Sequence, residues 1–440
     1  MNLPTSNSRL PHMYEARSLW AVVPVSGLLV GMLTLAMHLV HKAQGKKQQL
    51  PPYNREGMFV TLARFMDGTM PDLILDNART VGKVFRLSMP ELRRWFVVCD
   101  PKLAKSILEN HPEKPDLYKS FDTLYPGVSS MFSKRTHGEN WESARKNLAK
   151  AFSLTALTST LPQFDTKLQR LIAVFEEAAG NKKSVDISAV MLSFTFDFLT
   201  CSMFDIDLDA MGDGPTQGKE ILHHMEFFLK EFYLKQVFNP FRKYMFWDPE
   251  IRRAMKSAER FKNLNAKILS DYRANHSKEI AEADASILGH IVKGAYRSDN
   301  ERYAEMMAFL IGGHDTTGLT LSWILIEIAR HPRVWEKVHA EIVTNTPEGV
   351  FPIPYAAMSR LPYLDMVIKE GMRLWPVGAL GSIRETASDI EFGDMVIPKG
   401  VTVMLPFYAI TREGIQVQYF PPYSLNQFIS SSLESRRVHS

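Results

Sequence analysis

Three short stretches of this 440-residue chain carry side chains whose types and spacing could do chemistry. The first is IGGHDTTG, residues 311–318, set inside the apolar, helix-patterned run MMAFLIGGHDTTGLTLSWILIEIA. Glycine, histidine, aspartate and threonine are poor helix formers, so their clustering inside a helix needs a reason. Gly312 and Gly313 allow close approach to the backbone. Thr316 can bond back to a carbonyl and bend or open the helix. Asp315 offers a carboxylate able to exchange a proton. As architecture alone, the same residues would make a kink against another helix, with Asp315 capping a local break. The second stretch is WESAR, in which Trp141 and Arg145 share one helix face. Indole and guanidinium together form an anion clamp of donors only; the plainer alternative is a packed tryptophan beside a solvated arginine. The third is EGMR, where Glu370 and Arg373 stand three apart and can form an ion pair. At the surface such a pair is worth little. Partly buried among Val367, Ile368, Met372 and Leu374 it would be structural and costly to break. A zinc centre on His314 and Asp315 is excluded, because adjacent helix residues point about 100° apart.

Long helices must position these groups. Amphipathic periods run through 160–179, 186–204, 217–236, 249–275, 283–294 and about 300–345. Gly180 is a natural stop, and Asp100-Pro101 opens a helix after two β-like runs at 82–87 and 94–99. A short β region follows at 389–405, punctuated by Gly393-Asp394 and Lys399-Gly400. The expected fold is mostly α with a small β-sheet, in a single large domain, since no linker interrupts 58–412. With 45% apolar and 23% charged residues the chain can bury a core. A net charge of +4, without basic patches interleaved with aromatics, gives no basis for binding nucleic acid. Two cysteines, Cys99 and Cys201, exclude a disulfide framework and a four-cysteine zinc site.

Residues 19–40 are 22 uncharged residues, enough for a transmembrane anchor. Lys42, Lys46 and Lys47 follow it, so residues 1–18 are expected in the lumen and the bulk of the chain in the cytosol. Residues 41–57 form a basic and proline hinge, stiffened by Pro51-Pro52. The aromatic-and-lysine run at 222–247 is either a core stripe or a surface that dips toward the headgroups and lines a greasy entrance.

GGHDTT, EGMR and WESAR, in this order and setting, resemble motifs of the cytochrome P-450 monooxygenases: the glycine–acid–threonine motif of the long central helix, the ExxR pair and the WxxxR pair. The resemblance covers roughly 58–413 and extends to the segment SIRETASDIEFGDMVIPKGVTVML. It implies heme as cofactor, held at a propionate by Trp141, Arg145 and Arg384. It implies that Gly312 and Gly313 pass over the heme face, and that Asp315 and Thr316 deliver protons to bound oxygen. Phe309 would face substrate, and Glu370 and Arg373 would brace the heme-side core. The implied partners are a lipophilic small molecule, O2, an NADPH-dependent reductase and the endoplasmic reticulum membrane.

The pattern departs from the family at its metal. The family's iron is bound by a cysteine thiolate downstream of ExxR, and both cysteines here precede Glu370. Residues 413–440 lose the family pattern and are expected to be a poorly ordered, aberrant tail, as in a truncated gene product. On this reading the chain as written is inactive. The competing reading is a non-catalytic, membrane-anchored helical protein that binds a lipid or a partner without heme.

Overall fold

The computed structural model describes residues 49–88, 95–125, 127–133, 141–235, 242–277, 284–346 and 355–412. The expected segments 1–18, 19–40 and 413–440, and the first part of the hinge, lie outside these residues.

Helices α1 (Met58–Met66) and α2 (Met70–Thr80) precede strands β1 (Val84–Arg86) and β2 (Trp95–Val98). Then come α3 (Pro101–Asn110), α4 (Trp141–Ala149), α5 (Leu154–Ser159), α6 (Leu161–Gly180), α7 (Ile187–Phe204) and α8 (Gln217–Phe228). The helical series closes with α9 (Pro249–Asn275), α10 (Ile287–Lys293), α11 (Asp299–Arg330), α12 (Pro332–Asn345) and α13 (Pro362–Leu374). Strands β3 (Ser382–Glu385), β4 (Ile390–Phe392), β5 (Met395–Ile397) and β6 (Thr402–Leu405) lead to a last turn of helix, α14 (Phe407–Ile410). The architecture is mostly α with small sheets, as the sequence leads one to expect.

Local chemistry sets the helix ends. Asp100 caps α3 by accepting from the amides of Lys102 and Leu103, with Pro101 at the first position. The run expected as one helix over 300–345 is two. Pro332 lacks an amide hydrogen and disfavours helical geometry in the residue before it, so His331 leaves the helix at φ −123°, ψ 78°. The 217–236 run is also divided: α8 ends at Phe228 and a π-helical turn, Leu229–Lys235, continues it.

Helix α7 is apolar all round and long enough to cross a membrane, yet half of it is buried inside the protein. It is a central packing partner of α11. Gly318 makes their crossing close: a β-carbon there would lie 3.1 Å from the Leu192 backbone and 2.9 Å from Thr195 Oγ1. A β-carbon at Gly313 would meet Leu199 at 2.5 Å. The Thr195 hydroxyl donates to the His314 carbonyl at 2.9 Å, tying the two helices together. Around this pair Phe196, Phe228, Phe261, Met306 and Leu310 form the main core.

The four-stranded sheet has the order β1-β2-β6-β3. Strand β6 lies parallel to β2 and antiparallel to β3, with Arg384 opposite Val403. The 389–405 region is thus shared between two sheets: β4 and β5 form a separate hairpin, while β6 joins the strands from the start of the domain.

Candidate active site

The central motif sits in an unbroken helix. Thr316 Oγ1 donates to the Gly312 carbonyl at 2.6 Å, and Thr320 and Ser322 bond back in the same way at 2.8 Å. These hydroxyls satisfy themselves on the helix without opening it. The two glycines face different ways. A β-carbon at Gly312 would meet nothing within 4 Å, so the helix is open on that side, where Thr316 is also exposed. Gly313 is committed to its contact with Leu199 of α7. His314 is buried against α7 as well: its ring stands edge-on to Phe196 at 5.5 Å and its Nδ1 lies 2.9 Å from the Leu310 carbonyl.

Asp315 is partly buried, and burial raises its carboxyl above the usual range against the opposing pull of His314. Burial likewise holds the His314 imidazole toward its neutral form. A carboxyl pushed toward its protonated form holds a proton more readily than an ordinary aspartate and can still give it up. The same physics makes its charge a burden to the fold. The unfolded chain ionises first as pH rises, so stability falls between the ordinary aspartate value and the raised one. Asp315→Asn should therefore raise stability at neutral pH by about 1–3 kcal/mol and abolish that pH dependence, measured by denaturant unfolding at several pH values.

Three cationic residues, Lys114, Arg384 and Arg145, act on one another through their charges. Lys114 donates to the carbonyls of Met131 and Phe132 at 2.9 and 2.8 Å. Burial, then the charge of Arg384, with a smaller push from Arg145, lowers its ammonium to about 8. Arg384 projects from β3 and spends one guanidinium nitrogen on the Ile383 carbonyl at 2.8 Å, while its buried Nε has no hydrogen-bond partner among the described residues. Arg145 is exposed on α4. Trp141 is on the same helix, but its indole donates to the Met131 carbonyl at 3.1 Å and is not directed to an anion. Lys114, Arg384 and Arg145 are near enough for the two arginine charges to act on the lysine, which makes them the candidate anion cradle, and Trp141 holds Met131 beside it.

Two residues of this region carry no motif. Lys114 is separated by 17 residues from the carbonyl it grips, a distance no local pattern reports. Glu305 is fully buried, and both its carboxylate oxygens accept from the Met131 amide at 2.8 and 2.9 Å. Its one sequence signal is an acid two turns before Gly312 inside the apolar run from Ala304 to Ile311. Met131 is thus held by α11, α4 and Lys114 together.

Phe309 is partly buried, with its ring 6.1 Å from Phe152. Arg373 grips Glu370 through two bonds of 2.7 and 2.6 Å and reaches the Thr411 carbonyl at 3.1 Å. The Glu370 side chain is 55% exposed, so this is a surface pair that ties α13 to α14. The apolar neighbours expected to enclose it do not, and Ile368 and Met372 are themselves exposed.

The cradle suits a group with a carboxylate edge: it holds converging positive charge and an orphaned buried N–H. Cys99 is buried in the core under the sheet. Cys201 lies on α7, where burial pushes its thiol up to about 11.

The cytochrome P-450 family model matches residues 51–415. The chain belongs to the cytochrome P-450 family. Heme iron is this family's cofactor. Curated relatives agree. Cytochrome P-450 3A12 of Canis lupus familiaris is 25% identical over 329 residues, which is 72% of this chain and 64% of that protein. Cytochrome P-450 3A7 of Homo sapiens is 27% identical over 349 residues, 76% of this chain and 67% of the relative. A lithocholate 6-beta-hydroxylase of Mesocricetus auratus is 24% identical over 425 residues, covering 91% and 79%. The cytochrome P-450 match to the dog relative spans less than two thirds of its length.

Proposed function

We propose that the chain carries the scaffold of a membrane-anchored heme monooxygenase that hydroxylates a lipophilic substrate, using O2 and electrons from NADPH through a reductase. The observation that carries this reading is the pairing of an open helix face at Gly312 and Thr316, with Asp315 held toward its protonated state, and a cradle of Lys114, Arg384 and Arg145 for a dianionic cofactor edge. Heme, when bound, supplies the activation of molecular oxygen. Lys114, Arg384 and Arg145 would hold its carboxylates, while Gly312 keeps the groove free of side chains and the Asp315 carboxyl would store a proton. Glu370 and Arg373 are structural.

Placement at the endoplasmic reticulum membrane, with residues 19–40 as a single span and the domain 58–412 facing the cytosol, rests on the uncharged run and the lysines after it. Phe59, Phe246 and Trp247 add apolar surface, exposed at 80%, 72% and 61%.

We further propose that this 440-residue chain does not itself hydroxylate substrate, because it has no cysteine after Cys201 to donate electron density to iron. Hemin titration of the purified chain, followed by reduction and carbon monoxide, tests this. The expected result is porphyrin binding without the long-wavelength band of a thiolate-ligated complex; that band would overturn it. No porphyrin uptake at all would favour the non-catalytic lipid- or partner-binding reading, for which the missing cysteine is also the motive.

A further inference from the structure

A cavity of about 520 Å³ lies away from the Gly312 groove, between the ends of α5, α7, α9 and α10. Its volume is in the range that encloses small organic ligands. Its walls are aromatic. Tyr272 and His276 stack flat at 4.1 Å and 14° on the end of α9, and Phe152 and Phe198 also line the space. Its acidic side chains are Asp205, in left-handed geometry at the end of α7, and Asp284, just before α10. Among the described residues no lysine or arginine side chain lines it; Lys293, outside the lining, donates to the Asp284 main-chain carbonyl and its charge also acts on the Asp284 carboxyl.

Asp284 accepts from the Tyr272 hydroxyl at 2.7 Å and from the Ser286 hydroxyl and amide, both at 2.7 Å. Burial works to raise its carboxyl, but these bonds, with the charge of Lys293, outweigh it and hold the group below its ordinary value. Burial, then the hydrogen bond to Asp284 and the charges of Asp284 and Asp205, hold the Tyr272 phenol above its usual value. Both acids therefore act on the same phenol. Asp284 is half-buried and Asp205 exposed at the mouth, so the two carboxylates give the concave space a negative side that attracts a cation, and aromatic faces prefer a cation with an apolar body.

We propose that this cavity is a second ligand site, selective for protonated amines carrying a compact aromatic or alicyclic body. Such a site is separate from the oxygen groove, and Phe152 is the wall through which it touches Phe309 of α11.

The full chain in phosphatidylcholine nanodiscs, with empty nanodiscs as baseline, is titrated with 1-naphthylmethylamine and with 1-naphthylacetate by ligand-observed NMR. The amine should bind and the isosteric carboxylate should not. Asp205→Asn keeps the left-handed backbone comfortable, because asparagine adopts it readily, and should weaken the amine about fivefold. Ser159→Trp, at the exposed rim, should block it, and Gly312→Val, in the oxygen groove, should leave it unchanged. Equal binding of the two probes, or amine affinity indifferent to Asp205→Asn, overturns the proposal. So does loss of amine binding in Gly312→Val alone. If Ser159→Trp fails to fold, the Asp205→Asn result decides.

Discussion

Gly381→Ala should unfold the domain or cost it more than about 3 kcal/mol, the range of backbone strain added to a steric clash. Gly381 has φ +70°, and a β-carbon there would stand 1.8 Å from the Leu405 carbonyl oxygen and 2.8 Å from the Phe407 amide. Both obstacles are backbone, so neither can swing aside. The close approach is what lets β3 leave its turn and pair at once with β6, Ser382 opposite Leu405. Two residues further along, the same pairing presents Arg384 to the anion cradle. The control is Gly393→Ala in the β4–β5 hairpin, which has φ +58° but open space around it. It should cost about 1 kcal/mol, the backbone term alone. Comparing unfolding midpoints for the two variants separates contact from conformation. A Gly381→Ala protein as stable as Gly393→Ala would mean that β3 and β6 do not meet as described.

Lys114→Met and Arg384→Met should each weaken binding of protoporphyrin IX about 10- to 100-fold, the effect of removing one charge-assisted hydrogen bond. The metal-free porphyrin is the right probe, because it carries two carboxylates and needs no iron ligand. Quenching of its fluorescence reads the affinity. A pH signature distinguishes Lys114 from a merely structural lysine. Its folded value of about 8 lies below the ordinary 10.5. Between these values the unfolded chain binds more protons than the folded one, so the stability of the unliganded protein should rise with pH across that window. Porphyrin affinity should move the other way and fall above about pH 8, as the cradle loses a charge. Both trends should vanish in Lys114→Met. Porphyrin affinity unchanged in both variants would remove the cradle as an anion site.

Much of this was legible in the sequence where the determinants are local. Asp100-Pro101 starts a helix because capping is a property of a few neighbouring residues, and a helix does end at Gly180, although the left-handed turn that follows is made by Lys182. The residue types in 311–318 announce an open helix face. What failed was direction. Gly312 and Gly313 are adjacent and chemically identical, yet one faces open space and the other Leu199, because the crossing angle of α7 decides it. Trp141 and Arg145 do share a helix, but the indole is taken by a carbonyl ten residues upstream. The exposure of Glu370 depends on what covers α13, which its own heptad does not say. Lys114 carried no sequence signal and Glu305 only that of an acid in an apolar run, since the Met131 groups they hold lie 17 and 174 residues away in the chain. The strand order was hidden for the same reason.

That strand order has a consequence for synthesis. Strand β2 finds its parallel neighbour β6 about 300 residues later in the chain. As the polypeptide emerges from the ribosome, Trp95, Phe96 and Val97 wait with one row of backbone groups unpaired while the intervening helices form. An apolar strand edge left open is a site for pairing with other chains, and closing so long a loop is slow. Newly made protein should therefore depend on chaperones until Thr402–Leu405 has cleared the exit tunnel, and nascent chains stalled before that point should aggregate through β2.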